Sequence, residues 1–542
     1  MKRVLIIGSG IAGLSCAIEC GRQGISTILA SPYASERAQS VMAAGGINAA
    51  VEGSGDRAGD DDAGDSVQCH IEDTLKGGVY LDDEEAVKGL CSEAPEIVNW
   101  LEQIGVVFTR DEKGKVDRRA FGGQTYSRTA YSGAATGKQI VTALVRQSRR
   151  YESEGLLERK FGFHFHSALI KDGVCYGALL FDMRKRCLTP VYADAVVIAT
   201  GGQNKLYGKT TGSRLCDGYA AGKLFQQGVR LKNLEFVQYH PTSIETPQKR
   251  MLISEAARGE GGRLYYVEEG RRVYFMEDKF GPKGNLMPRD VVSRHIYDAP
   301  SQVYLDIAFL GAEKIHTKLE EVYELCKGYI GLDVTKESIP VDPTVHFFMG
   351  GIAVDVKHRT NIDRLYAVGE CASIYHGANR LGGNSLLAAL YSGRVAARDI
   401  ECLSGAAVVS MEDYVTECSR ELAEMMASKS KFPTVYITNM LADTMNDCMG
   451  IKRHPDQLVM GIESIEYLLS VCDKLRYDSE VSVYENYSLR SLLLLAKAGI
   501  MSAHARTESR GAHFRIDYPE RNDEMNRPTI AEFVDGEIKI SI

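Results

Sequence analysis

The sequence lacks any hydrophobic run long enough to cross a bilayer. Its longest leucine stretch, SLLLLAKAGI from Ser491, is interrupted by Lys497 and falls well short of the roughly 20 residues that a spanning helix needs. Any membrane association must therefore come through a partner. Positive charge is not in excess: 64 Lys and Arg stand against 72 Asp and Glu, a formal net charge of -8, which excludes a general nucleic-acid or anionic-membrane binder. Ligand-spaced cysteines are missing too. The chain has 13 cysteines, but none forms a C-x-x-C or C-x-x-C-H, so no iron-sulfur cluster, c-type haem or zinc ribbon is expected in this chain, and the thiols read as buried groups in a reducing compartment. The opening MKRVLIIGSG has a strand-like run in place of a signal peptide's basic head and apolar core, so a cytoplasmic location is expected. No internal repeat and no low-complexity linker is visible.

With 542 residues, 25% charged and 44% hydrophobic, the composition is that of a soluble globular protein of two or more domains, at roughly 100 to 200 residues each. The first informative stretch begins at Val4. A β-branched run, Val4 to Ile7, leads into Gly8, Gly10 and Gly13, then a helical pattern, then a second apolar run from Thr27 to Ala30, which is the order of a βαβ unit. In a dinucleotide fingerprint the first glycine makes the tight turn and the second lets backbone approach a pyrophosphate. The third lets helix pack on strand, with the helix N-terminus toward the phosphates. The second strand ends Ala30-Ser31-Pro32, without the acidic residue that commonly holds an NAD ribose. Ser31 can hydrogen-bond a ribose, but the pattern does not point to NAD.

Three further patches share the same character. ADAVVIATGGQNKLYG runs a buried-type strand, Val196 to Ala199, into Thr200, Gly201 and Gly202. RAQSVMAAGGINAAVEGSGD contains Ser40 and sets Gly45 and Gly46 after small residues, so that backbone can lie along a flat ring edge. HGANRLGGNSL places Arg380 among glycines and asparagines, the composition of backbone that passes close to something flat or charged.

The chain resembles the flavoprotein subunits of succinate dehydrogenase and fumarate reductase, with their relatives the L-aspartate oxidases and soluble fumarate reductases. The matching segments include GSGIAGLSCA, AAGGINAA, HIEDTLKGG, AFGGQTYSRTAY, VVIATGG, EFVQYHPTSI, LISEAARGEGG, MPRDVVSR, VHFFMGGIAVD, YAVGECASIYHGANRLGGNSLL and ESRGAHFRIDYPERND. They stand in family order over almost the whole chain. The resemblance implies an α/β fold: an FAD-binding, Rossmann-like domain of the two-dinucleotide type with an inserted α+β capping domain and a C-terminal helical domain. From motif placement, residues 1–235 and 345–405 are expected to form the FAD-binding domain. Residues 236–344 are expected to form a cap that closes over substrate and excludes water, and 406–542 a helical domain and tail, with helical patterns in EDYVTECSRELAEMMAS and LRSLLLLAKAGIMSAHA. The acidic run GDRAGDDDAGD lacks the closing glutamate of a calcium loop and reads as solvated.

Reducing the double bond of a dicarboxylate needs a hydride donor on one face, a proton donor at the other carbon, and groups that hold two carboxylates. His240 in QYHPT and Ser254 in LISEA can hold one carboxylate, and His346 in VHFFMGG and Arg380 the other, the planar fork of Arg380 suiting a bidentate contact. The resemblance assigns the catalytic acid to Arg289 in MPRDVVSR. A guanidinium is an unusual acid because its pKa ordinarily lies above ~12, so the role calls for desolvation and neighbouring cations. Glu255 and Arg258, at i and i+3 in SEAARGEGG, are expected on one helical face as a proton relay. Cofactor contacts carried over by motif are Asp217 in CDGYA, Glu370 in GEC, and Ser385 and Leu386 in NSLL. Glu370 reads as an acceptor for ribose hydroxyls or as a helix N-terminal charge.

Two departures bear on the reaction. Membrane-bound members carry a flavin-linking histidine six positions before the Gly-Gly, and here that position is Gln39. FAD is therefore expected to be non-covalent, which favours fumarate reduction over succinate oxidation. Relatives also have an Asp where this chain has Ala134. L-aspartate oxidase is the main alternative: such enzymes carry a glutamate in the segment matching AFGGQTYSR and a RLASNSLLE loop, whereas this chain has Gln124 and RLGGNSLLA, although DSVQCHIEDT leans the other way. Reduction of another α,β-unsaturated carboxylate is a further alternative. A flavin-holding electron-transfer module without turnover would have no need of both carboxylate clamps. The resemblance implies that the electron partner is an iron-sulfur subunit and that membrane-bound members have an anchor as well.

Overall fold

The computed structural model describes residues 2–50, 64–133, 135–247, 249–405, 409–427, 434–472 and 483–542. Ala134 and most of the acidic run lie outside them. Asp65, which ends that run, does not face solvent: it is buried against Arg128 at 2.8 Å, a correction to the solvated reading at this residue.

The apolar runs read from the sequence build one parallel sheet. Its five strands lie in the order Leu365–Ala367, Ala195–Ile198, Arg3–Ile7, Ser26–Ser31, Leu157–Phe161. Ile7 pairs with Ile198 on one side and with Ala30 on the other. Parallel strands are covered on both faces, which is why they appear as continuous apolar runs and not as alternation. The helix Ile11–Arg22 is buried from Ile11 to Gly21, packed between the sheet and the helix Asn384–Glu401. A three-stranded antiparallel sheet, Phe163–Lys171, Val174–Asp182 and Cys187–Tyr192, is appended.

A second hydrophobic core draws all its buried members from the stretch between Ile244 and Val341. It rests on a six-stranded sheet in which Val237–Glu245 pairs antiparallel with Ile339–Phe348. These two strands tie the cores together. Val237, Val345 and Phe348 pack in the first core, while Ile244, Ile339 and Val341 pack in the second. Side chains halfway along the pair therefore sit at the junction, and His240 and His346 are among them.

The helical patterns toward the C-terminus are realised as Glu412–Ala427 and Val483–Ala505, with Thr434–Cys448 and Pro455–Cys472 between them. The last residues do more than trail. Ile530–Val534 and Glu537–Ser541 form a hairpin whose first strand pairs with Leu231–Lys232. A cluster of fully buried charges fastens this end: Arg506 contacts Glu235 at 2.6 Å and Glu508 at 2.8 Å, and Arg510 contacts Glu508 at 2.7 Å. Among the described residues no helix is long and apolar enough to cross a membrane, and no group of His, Cys, Asp and Glu could hold a metal ion.

Candidate active site

A cavity of about 1060 Å³ runs from the glycine turn after the first strand to the junction of the two cores. Gly8, Gly10, Ser31, Ser40, Gly45, Gly46, Gly201, Asp217, Glu370, Ser385 and Leu386 line it, as do His240, Ser254, Glu255, Arg289, His346 and Arg380. Of the expected catalytic, substrate and cofactor residues, Gly13 and Arg258 do not line it.

The turn is built for a ligand. Gly8 has φ +113°, and a Cβ there would lie 2.2 Å from the Ala199 carbonyl oxygen, so backbone geometry alone demands glycine. Gly10 is different: a Cβ would meet nothing closer than the Ser40 hydroxyl at 3.4 Å. The protein does not need glycine at position 10, whereas a pyrophosphate lying on the N-terminus of the following helix does. Ser40 Oγ accepts the Ile11 N–H at 3.4 Å, and Gln39 Oε1 accepts the Ser213 N–H at 2.5 Å, fixing the short turn between them and the helix.

Glu370 stands in the turn Gly369–Cys371 after the last parallel strand, not at the start of a regular helix. Desolvation pushes its pKa up to about 7, opposed only in part by the Phe348 N–H and Arg380. A carboxyl so lightly partnered matches ribose hydroxyls as donors. Ser385 and Leu386 lie in the first turn of Asn384–Glu401, where helix N–H groups lack intrahelical partners. Asp217 differs from a free ligand contact, because it already accepts the Tyr484 hydroxyl at 2.5 Å and the Tyr219 N–H at 2.9 Å. The donor set fits FAD.

The junction end holds the charged residues. The rings of His240 and His346 are 5.1 Å apart. Each is anchored through Nδ1, His240 on the Thr242 carbonyl at 3.0 Å and His346 on the Thr211 hydroxyl at 2.8 Å, leaving Nε2 for the cavity. Desolvation, followed by nearby positive charge and, for His346, by the other ring, drives both pKa values well below the ordinary range. The imidazoles are neutral at pH 7. Arg380 is 4% exposed, stacks on Phe347 at 4.2 Å and leaves its Nε without a protein partner among the described residues. A buried donor left open beside a cavity is the signature of a ligand contact. Desolvation, then Arg289, lowers the Arg380 pKa.

Arg289 joins two parts of the site. Its Nε and Nη2 donate to one oxygen of Glu255 at 2.9 and 2.6 Å, and its Nη1 donates to Gln238 Oε1 at 3.0 Å. The other Glu255 oxygen accepts the Gly122 N–H at 2.8 Å and faces Arg258 Nη2 at 3.5 Å. Burial alone would raise the Glu255 pKa, but Arg289 and Arg258 outweigh it and hold the carboxyl at about 2. The expected helical face is only one turn long: Glu255 caps Ala256–Gly259 and meets Arg258 at i, i+3. The side chains still form an unbroken series, because one turn suffices to bring i and i+3 together.

Gln238 was not anticipated. Its Oε1 also accepts Arg380 Nη2 at 3.1 Å, while its amide nitrogen donates to Asn379 Oδ1 at 2.9 Å and the Arg380 carbonyl at 2.8 Å. One neutral side chain thus holds both guanidiniums. The available signal was its place two residues before His240, on the same face of the strand.

Fold, glycine turn and donor set together define an FAD-dependent oxidoreductase. The family described as FAD binding domain matches residues 3–386, and that described as Fumarate reductase flavoprotein C-term matches residues 438–541. The chain is 36% identical to the succinate dehydrogenase flavoprotein subunit of Bacillus subtilis, covering 98% of this chain and 94% of that protein. It is 35% identical to a chain of the fumarate reductase (CoM/CoB) of Methanothermobacter marburgensis, over 97% and 96%. Among solved structures, a quinol-fumarate reductase with menaquinol molecules superposes with a TM-score of 0.90 at 31% identity, covering 100% of this chain and 98% of that one. The E. coli quinol fumarate reductase gives 0.87 at 30%, covering 100% and 97%. The chain belongs to the succinate dehydrogenase/fumarate reductase flavoprotein subunit family.

Proposed function

We propose that this chain is a catalytic flavoprotein subunit that interconverts fumarate and succinate, favouring fumarate reduction, with Arg289 as the proton donor. The observation that carries the reading is the placement of Arg289 on the cavity wall between Glu255 and Gln238, with His346 and Arg380 lining the same cavity. Bound FAD, when reduced, supplies the hydride to one carbon of the double bond. His240 and Ser254 hold one carboxylate and His346 and Arg380 the other: with Nδ1 accepting the Thr211 hydroxyl, neutral His346 donates through Nε2, while His240, whose Nδ1–H donates to the Thr242 carbonyl, donates through Nε2 on taking up a proton. Arg289 gives a proton to the second carbon, and Glu255 and Arg258 restore it. One hydride and one proton convert fumarate to succinate with no change in substrate charge.

FAD is proposed to bind non-covalently, since Gln39 presents an amide and no imidazole, and its oxygen is engaged by Ser213. Gln124 speaks against L-aspartate oxidase. Its amide nitrogen donates to Asn48, Thr129 and the Gly382 carbonyl at 2.9 to 3.2 Å, leaving no carboxylate at the position where those enzymes carry one for a substrate amine. The domain division 1–235 with 345–405, 236–344 and 406–542 is retained as a proposal, supported by the separate core within the middle segment. Electrons are proposed to arrive through a separate iron-sulfur subunit, with a membrane anchor as a third member, so that the chain works at the inner face of a membrane without entering it.

The test is anaerobic oxidation of a reduced viologen dye by fumarate, beside oxygen consumption on L-aspartate. Fumarate-dependent oxidation without aspartate turnover supports the reading. Aspartate-dependent hydrogen peroxide release overturns it in favour of L-aspartate oxidase, and turnover only on another unsaturated acid, such as crotonate, reassigns the substrate.

A further inference from the structure

Four cations that the reaction above does not use line the cavity; Arg37 stacks on the Tyr33 ring and Lys205 pairs with Glu485, which leaves Arg214 and Lys249. Contacts with one short turn locate them. The Ser213 N–H, next to Arg214, donates to Gln39, and Lys249 Nζ lies 3.8 Å from Met42 Sδ, so both approach the turn Gln39–Met42. The cavity meets solvent there: of its lining residues, Met42 is 45% exposed and Leu215 42%, and Arg214 is exposed as well.

Neither cation is neutralised among the described residues. Arg214 has no ion pair or hydrogen bond through its guanidinium there, and Lys249 has no carboxylate partner. Their basic neighbours behave otherwise, for Lys209 and Arg250 both pair with Glu245. Chain connectivity ties each free cation to one substrate clamp. Arg214 follows by three residues Thr211, whose hydroxyl anchors His346, and Lys249 precedes Ser254 by five residues. At ~3.3 to 3.6 Å per residue, neither lies more than about 18 Å along the chain from its clamp.

On the reading of this cavity as a dicarboxylate site, we propose that Arg214 and Lys249 form an outer anion station at the cavity mouth, which captures a small dicarboxylate and hands it inward to the clamps. The chain as a whole carries a net charge of -8 and so repels a dianion at long range. Two unpaired cations at the rim of a low-dielectric cleft reverse that sign locally, and such focusing raises association rates by roughly 10- to 1000-fold. The station acts before the chemical step, so its signature is in kcat/KM and in salt dependence, with kcat unaffected.

The test uses the FAD-loaded chain, Arg214→Gln, Lys249→Gln and the double variant. Fumarate reduction is measured at saturating dye over a range of ionic strengths, and association of malonate, an unreactive dicarboxylate, is followed through the flavin spectrum by stopped flow. The double variant is expected to lose about tenfold in kcat/KM and in the malonate on-rate at low salt, with kcat unchanged. The difference should vanish near 1 M salt, where the Debye length is ~3 Å. A parent-like salt slope in the double variant overturns the station while leaving the proposed reaction intact. Loss of FAD from the variants also overturns it, by assigning the cations to the cofactor. A parent chain that neither reduces fumarate nor binds malonate removes the dicarboxylate reading, and the station with it.

Discussion

Arg289 places both its Nε and its Nη2 on a single oxygen of Glu255, at 2.9 and 2.6 Å. The carboxylate therefore aims the guanidinium as well as balancing its charge, and its second oxygen remains with Gly122 and Arg258. Glu255→Gln keeps the shape and removes the charge. On a relay role, kcat for fumarate reduction falls by roughly 10²- to 10⁴-fold with FAD content unchanged. Steady-state turnover with a reduced dye and the flavin absorbance of the purified variant check both.

The same substitution has a pH signature in stability. The Glu255 carboxyl titrates at about 2 in the folded chain against 4.5 unfolded, so its contribution is full above about pH 4.5 and is lost as pH falls toward 2. Across that window the parent is expected to lose melting temperature more steeply than Glu255→Gln. Thermal melts of the two proteins between pH 5 and 2.5 measure it.

Gln238 offers one oxygen to Arg289 and Arg380. Gln238→Leu leaves two buried donors unpartnered, at about 1 to 3 kcal/mol each, and frees both guanidiniums to wander. A fall in kcat/KM of about 10- to 100-fold follows, with a raised KM because Arg380 is also displaced. Gln238→Glu supplies the same oxygen with a charge and should shift the pH profile of kcat where the leucine variant does not.

Glu370 gives FAD binding a pH dependence. Without the cofactor its pKa is raised to about 7, and ribose hydroxyls that donate to the carboxylate lower it on binding. FAD affinity is then constant above pH 7 and weakens below it by up to about tenfold per unit, with proton release on binding. Fluorescence titration of the apoprotein with FAD between pH 5.5 and 8.5 should show this, and Glu370→Gln should flatten it.

Acid precipitation separates covalent from non-covalent flavin. With Gln39 at the linking position, all FAD should appear in the acid supernatant and none as a fluorescent band on a denaturing gel. Flavin retained by the denatured chain contradicts the non-covalent reading.

Much of this was legible because the relevant signals are local. A buried parallel strand shows itself as an apolar run, and Gly8 shows itself because no other residue fits beneath Ala199. What the sequence did not disclose depends on distant contacts or on a signal passed over. Gln238 looks like an ordinary polar strand residue until Arg289 and Arg380, 51 and 142 residues further along the chain, close on it. Asp65 reads as part of a solvated acidic loop, yet Arg128 buries it. The C-terminal hairpin was readable: Asp535 and Gly536 both have positive φ, and an Asp-Gly pair between alternating apolar residues is a hairpin signal.

The most direct measurement is a single turnover. The parent and Arg289→Ala are loaded with FAD, reduced anaerobically and mixed with fumarate, and reoxidation of the flavin is followed together with succinate formation. The account predicts rapid, stoichiometric reoxidation in the parent and a rate at least about 10³-fold lower in Arg289→Ala, with malonate still perturbing the flavin spectrum in both. Reoxidation of the variant at the parent's rate would contradict the assignment of Arg289 as the proton donor.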